Sequence, residues 1–240
     1  MPGNEISEIR ERLERVRDRI EDACARAGRR SEEVTLIGVS KTFPIEAVHA
    51  AREAGLVHFG ENRVQDLVQK ASLLPGKGRR GDVQWHMIGH LQRNKARDVV
   101  EYADSFDALD SYRLAEELNR RAEQRGRVLP CLVEVHVSGE ESKFGVKPEA
   151  THDLLDSLAQ FPNLRVEGLM TIASFVEDPA QIRSEFRILR GIFESYRSSA
   201  NPHIDMKQLS MGMSGDFEIA IEEGATHVRV GSAIFGSRGY

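Results

Sequence analysis

Apolar residues step through the start of the chain by threes and fours: Ile6, Ile9, Leu13, Val16, Ile20 and Ala23. That spacing marks one face of an amphipathic helix, and the other face is almost entirely charged. Gly28, set among arginines, reads as its stop signal. The helix is expected to pack on the outside of the domain. Beyond it the pattern becomes an alternation of short apolar runs and amphipathic stretches. Strands are predicted at 35–41, 56–62, 82–91, 105–111, 128–138, 165–174, 206–212 and 227–236. Helices are predicted at 44–55, 63–74, 93–103, 112–126, 148–161, 179–199 and 216–225. The strands are near-continuous runs rich in Val, Ile and Leu, the signature of a parallel sheet buried on both faces. Regular β–α alternation with eight strands predicts an α/β protein, a single (β/α)8 TIM barrel with an extra N-terminal helix. An open doubly wound sheet is the alternative. No break in composition divides residues 1–240, so one domain is expected.

Composition narrows the function classes. The chain has 240 residues, 40% hydrophobic and 30% charged, with a net charge of −5. No basic field exists to hold nucleic acid, which is not an expected partner. No stretch approaches the ~18 apolar residues of a membrane span, and the N-terminus has no signal-peptide core. A soluble, cytoplasmic protein is expected. Cys24 and Cys131 have no metal-ligand spacing and read as reduced structural thiols. The exterior helices are charged without an obvious apolar patch, which favours a monomer. Gly76, Gly78 and Gly81 match G-x-G-x-x-G, but they follow a helix and open a strand, the reverse of a dinucleotide site. They read as a basic loop.

The chemistry is expected at the C-terminal ends of the strands, with phosphate between the loops after strands seven and eight. Lys41 closes the first apolar run, although lysine is rarely buried without a use. In LSMGMSGDFEIAI, Gly212 and Gly215 allow close backbone approach, Ser210 and Ser214 offer hydroxyls, and Ser214 or Asp216 can cap the following helix. VRVGSAIFG supplies Gly231 and Ser232 at the end of strand eight. Arg229 shares a face with Gly231, one layer deeper; its alternative role is a salt bridge to a barrel carboxylate. Closure of the barrel makes strand one the neighbour of strand eight, so lysine, arginine and phosphate loops converge. Desolvation and a nearby arginine both favour a neutral lysine amine, which imine formation with an aldehyde needs. Pyridoxal 5′-phosphate held as an internal aldimine fits this set. So does a phosphosugar aldolase, and spacing does not separate them.

The stretches VSKT, FGENRVQD, WHMIGHLQRNK, VSGEESKFG, EGLMTI, LSMGMSGDFEIAI and VRVGSAIFG lie in that order between residues 39 and 236. As a set the sequence resembles the pyridoxal-phosphate homeostasis proteins, which are similar to the N-terminal barrel of alanine racemase. The resemblance implies that Lys41 carries the cofactor as a Schiff base and that Ser210, Gly231 and Ser232 hold its phosphate. It implies that Arg229 faces the pyridine nitrogen, with Asn62 near the ring and Met170 near the site. Ser214 is added from the residues alone. An arginine at that nitrogen disfavours its protonation and weakens the ring as an electron sink. Alanine racemase compensates with a second base, a tyrosine from a partner subunit whose chain has an additional β-domain. Here Tyr102, Tyr112 and Tyr196 fall on predicted helices, Tyr240 is terminal, and no such domain is read. His86 and His90 could stand in as second base, or be barrel and rim histidines; Lys143 could reach the site, or be a solvated loop charge. The expected function is a non-catalytic holder of pyridoxal phosphate that serves its intracellular homeostasis, with pyridoxal-phosphate-dependent apo-enzymes as candidate recipients and effects on amino-acid and keto-acid metabolism. A slow amino-acid racemase is the alternative, and a phosphosugar enzyme without a cofactor the third reading.

Overall fold

The computed structural model describes residues 2–76, 82–138, 144–197 and 201–236. Helix α1 (Pro2–Arg26) precedes eight strands: β1 (Thr35–Val39), β2 (His58–Glu61), β3 (Gln84–Met87), β4 (Ser105–Leu109), β5 (Leu129–Glu134), β6 (Leu164–Met170), β7 (Ile204–Ser210) and β8 (His227–Val230). Between and after them run α2 (Ile45–Glu53), α3 (Val64–Leu73), α4 (Ala96–Tyr102), α5 (Tyr112–Gln124), α6 (Thr151–Ser157), α7 (Pro179–Tyr196), α8 (Phe217–Glu222) and α9 (Ser232–Phe235). The strands are parallel and close into a barrel in sequence order. β8 returns onto β1 in a register running from Thr35↔His227 to Gly38↔Val230. This is the predicted (β/α)8 barrel with its extra helix, and the open sheet is excluded.

Strand alternation sorts the side chains into two cores. A Cβ on Gly38 would meet Leu56 and Phe235, so that face looks toward the helices. Phe59 and Trp85 lie on the same outer layer, ring centroids 5.5 Å apart, and the Trp85 indole donates to the Leu74 carbonyl at 2.8 Å. A Cβ on Gly60 would instead meet Ile37 and Ile88 inside the barrel. Much of the interior is polar: His86, Ser105, Asp107, Ser210 and Arg229 are all buried. Helix α1 buries Ile9, Leu13, Val16, Ile20, Ala23 and Cys24 against α2, α8 and α9; the Ile6 side chain lies outside the described residues. Arg19 of α1 pairs with Glu218 and sits 4.5 Å over the Phe217 ring. The helix therefore straps the first unit to the last, next to the closing pair of strands.

The strand ends differ from expectation. The run 227–236 leaves the sheet at Val230 and turns into α9. Leu91, Val135 and Val137 are buried in loops rather than strands, so their apolar character extended the predicted runs. Gly76 bridges to Val83 between α3 and β3, as a helix-to-strand connection should, while Gly78 and Gly81 lie outside the described residues. Cys24 and Cys131 are both free and buried. The loop after β6 exposes Ile172, Phe175 and Val176, with Phe175 at 100%, an apolar segment the charge pattern of the helices gave no hint of. Among the described residues no helix is long and apolar enough to cross a membrane.

Gly168 gives a test of the barrel. A Cβ there would lie 1.7 Å from the Gln208 carbonyl oxygen of the neighbouring strand. Gly168→Ala is expected to cost about 3 kcal/mol through overpacking. Gly191→Ala, on α7 with nothing within 4 Å, is expected to stabilise by about 0.5–1 kcal/mol. Urea unfolding of the two variants checks both signs.

Candidate functional site

Lys41 sits, half-buried, just past β1 in a tight turn. The Phe43 amide donates back to the Ser40 carbonyl at 3.0 Å and closes that turn. Thr42 in its corner has φ of 68°, the one non-glycine residue with positive φ among those described. A β-branched residue there is a genuine outlier. Such a conformation costs about 1–3 kcal/mol and persists only where its surroundings over-determine it.

Closure brings the ends of β7 and β8 to this turn. Gly231 lies so near β1 that a Cβ would stand 3.2 Å from the Val39 carbonyl oxygen, two residues before Lys41. The amides of Gly231 and Ala233 both point at the Ser214 hydroxyl, at 3.2 and 3.4 Å. Ser214 therefore ties the β7–α8 loop to the start of α9, and two donors converge on one oxygen. Ser232 is exposed beside them. Neither Ser214 nor Asp216 makes the expected side-chain cap on α8: the Asp216 carboxylate accepts from the Met213 amide of its own loop. Burial raises the Asp216 pKa above the usual range, opposed by that bond and by Arg229. Gly212 is a glycine for a protein reason: at φ 95° its Cβ would meet Ala220 at 2.6 Å and the Phe217 Cα at 2.8 Å. The loop packs onto α8 there, where a ligand was expected. Gly215 faces open space.

Arg229 points inward below Gly231, as predicted, and is buried. Its guanidinium donates to the Ser210 hydroxyl and to the Thr171 carbonyl, both at 2.7 Å. The Thr171 hydroxyl donates in turn to the Val135 carbonyl at 2.7 Å. One arginine on β8 thus fixes the ends of β6 and β7, and through Thr171 the end of β5. The expected alternative, a salt bridge, is replaced by these neutral acceptors. Burial pulls the guanidinium pKa down, opposed by the carboxylates of Asp107, Glu134 and Asp216. Ser210, read as a phosphate ligand, has its hydroxyl engaged with Arg229 at full burial. Met170 lies beside it in register and is buried. Asn62 follows β2 and is exposed at the rim.

The histidines resolve into core and rim. The His86 ring has partners at both nitrogens: Asp107 at 2.9 Å and His58 at 3.0 Å. Asp107 also accepts from Ser105. Burial alone would raise the Asp107 pKa, but His86 and the Ser105 hydroxyl outweigh it and hold it below the usual range. His227 nearby is pushed down to about 3, mainly by burial and then by His86, and stays neutral. His90 is a rim residue, stacked on Phe144 with ring centroids 3.8 Å apart and 3.2 Å from Asp110. Lys143 and Tyr240 lie outside the described residues. Tyr102, Tyr112 and Tyr196 are on helices as predicted. Among the described residues no three His, Cys, Asp or Glu side chains are grouped to hold a metal.

Sequence reasoning missed Glu134. It ends β5 in register with Met170, which is itself in register with Ser210, so the three form one row at the barrel mouth. Its only sequence signal is a carboxylate inside an apolar strand. Burial raises it to about 7, opposed by Arg229 and reinforced by Asp110.

The closed eight-stranded barrel defines a class, and comparison with known proteins identifies it. Residues 12–239 match the family model described as alanine racemase, N-terminal domain. Within that class, the chain belongs to the pyridoxal phosphate homeostasis protein family. The protein of that name from Aquifex aeolicus is 43% identical over 230 residues, covering 96% of this chain and 98% of that one. A crystal structure of an unknown protein from Bifidobacterium adolescentis superposes with a TM-score of 0.90 at 37% identity, covering 97% and 96% of the two chains. PipY of Synechococcus elongatus, solved with pyridoxal phosphate bound, gives a TM-score of 0.82 at 36% identity and covers 95% of this chain and 100% of its own.

Glu134 makes a pH prediction. Its carboxyl binds a proton more tightly folded than unfolded, so it contributes nothing below about pH 4. As pH rises from there through about 7, ionisation in the unfolded chain pulls stability down. Glu134→Gln removes this loss. The stability of the variant relative to the parent is expected to rise between pH 5 and pH 8, by up to roughly 3 kcal/mol. Thermal unfolding of both proteins across that range measures it; a difference constant with pH contradicts it.

Proposed function

We propose that this protein binds pyridoxal 5′-phosphate as a Schiff base on Lys41 and holds it without robust turnover. Lys41 would hold the cofactor through its side-chain nitrogen at the aldehyde carbon, the aldehyde oxygen being lost as water. The observation that carries this reading is the seam of β1 and β8, which sets the Lys41 turn beside two amides converging on one oxygen. The donor set suits the cofactor. Backbone N–H groups free of side-chain charge can donate to a phosphate oxygen, with Ser214 and Ser232 hydroxyls beside them, and an amine stands at the other end. Ser210 supports Arg229 in this reading, and Arg229 presents fixed positive charge toward the pyridine nitrogen. Met170 and Asn62 border the ring from β6 and β2. The cofactor itself supplies the electron sink for amino-acid chemistry.

Holding rather than turning over is supported by the histidines. A second base must be free to take a proton within hydrogen-bond reach. His86, the histidine that faces the barrel interior, has both ring nitrogens engaged there, while His90 stands at the rim, paired through Nδ1 with Asp110 and stacked on Phe144. The protein would then buffer the cofactor and release it to pyridoxal-phosphate-dependent apo-enzymes, influencing amino-acid and keto-acid metabolism.

Borohydride reduction of the loaded protein followed by peptide mass spectrometry tests the site. A pyridoxyl group is expected on the peptide containing Lys41, and Lys41→Ala is expected to lose both the adduct and the yellow absorbance. Trapping that persists elsewhere, at Lys143 for example, overturns the assignment. In deuterated water the loaded protein is expected to exchange the α-proton of L- or D-alanine no faster than free cofactor does.

A further inference from the structure

The outer side of β1 and β2 carries a buried charge cluster that the site does not explain. Lys70 reaches in from α3 with only 5% of its surface exposed, and Glu61 on β2 is at 0%. The ammonium donates to Glu61 Oε1 and to the Ser40 carbonyl, each at 2.7 Å, and the Ser40 hydroxyl donates to the same Glu61 oxygen at 2.5 Å. Glu61 Oε2 is buried with no partner among the described residues. An ion pair so placed adds little stability over a packed apolar pair, and leaving a carboxylate oxygen bare adds cost. Attachment of α3 to the barrel alone does not account for it.

What the cluster grips is specific. The Ser40 carbonyl accepts both from Lys70 and from the Phe43 amide that closes the Lys41 turn, so both lone pairs are used. That fixes the peptide plane entering Lys41. Ser40, just past β1, and Glu61, at the end of β2, are held by Lys70 of α3, and Lys41 and Asn62 come next, beyond the strand ends at the barrel mouth. The turn that follows holds Thr42 at φ 68°, a conformation that must be imposed.

We propose that Glu61 and Lys70 are positioning residues, a brace that imposes the strained turn and thereby aims the Lys41 amine. This rests on the reading of Lys41 as the cofactor amine. The brace would raise cofactor affinity by pre-organising the site rather than by touching the cofactor.

The test is absorbance titration with pyridoxal phosphate and borohydride trapping, on the full chain. In the double variant Glu61→Leu with Lys70→Met, the urea midpoint is expected to hold or rise while affinity falls about tenfold. Adding Thr42→Gly is expected to restore most of that affinity, because glycine adopts positive φ without being forced; a general packing defect would not be cured by deleting a side chain elsewhere. Should the double variant fail to fold, Lys70→Gln is expected to give a smaller loss with the same rescue. Unchanged affinity, or a loss that Thr42→Gly does not repair, overturns the brace. A parent protein that takes no pyridoxyl group on Lys41 overturns the proposed function instead, so the two failures are distinct.

Discussion

The hydrogen-bonded seam between β1 and β8 is the constraint on which the rest of the molecule depends. Residues almost two hundred positions apart in sequence meet there: Ile37 opposite Arg229, Gly38 opposite Val230. Loop closure over such a span is slow to find but costs little more than a shorter loop, because its entropy grows only with the logarithm of length. Two devices stabilise the seam once made. Helix α1 lies across the first and last units and buries an apolar stripe against both. Gly231 lets the end of β8 lie close on the Val39 carbonyl, where a Cβ would stand at a tight 3.2 Å. The site follows from that proximity, since the lysine belongs to one side of the seam and the converging amides to the other.

The interior of the barrel is organised around the same edge. Arg229 is the hub, bound to Ser210 and Thr171, and surrounded at longer range by Asp107, Glu134 and Asp216. A buried guanidinium without this field would be costly. The His58–His86–Asp107 line supplies part of it, and the burial of His227 as a neutral ring avoids a further positive charge. Polar groups inside the barrel are therefore matched to one another, while the apolar contribution comes from the layer between strands and helices.

The architecture was legible because its signals are local. A period of three to four marks α1, and valine-rich runs separated by charged amphipathic stretches mark the barrel. Lys41 was legible as an anomaly at the end of such a run, and Arg229 and Gly231 because alternation places them on one face. Strand ends were not legible, since Leu91 and Val137 are buried outside the ladder and Val135, past the end of β5, makes an isolated bridge to Val146. The supporting residues were hidden for a related reason. Lys70 looks like any solvated lysine on a helix, and Glu61 like the polar end of a strand; only the packing of α3 on the barrel joins them. Gly212 was read as a ligand cradle because a glycine in sequence does not say which surface comes close, and here that surface is α8.

An experimental structure of the protein grown with pyridoxal phosphate is the most direct test of the central claim. The account predicts continuous density from the Lys41 side chain to the cofactor, with phosphate oxygens accepting from the amides of Gly231 and Ala233 in place of the Ser214 hydroxyl. A cofactor joined to another lysine, or a phosphate lying away from the end of β8, would contradict it.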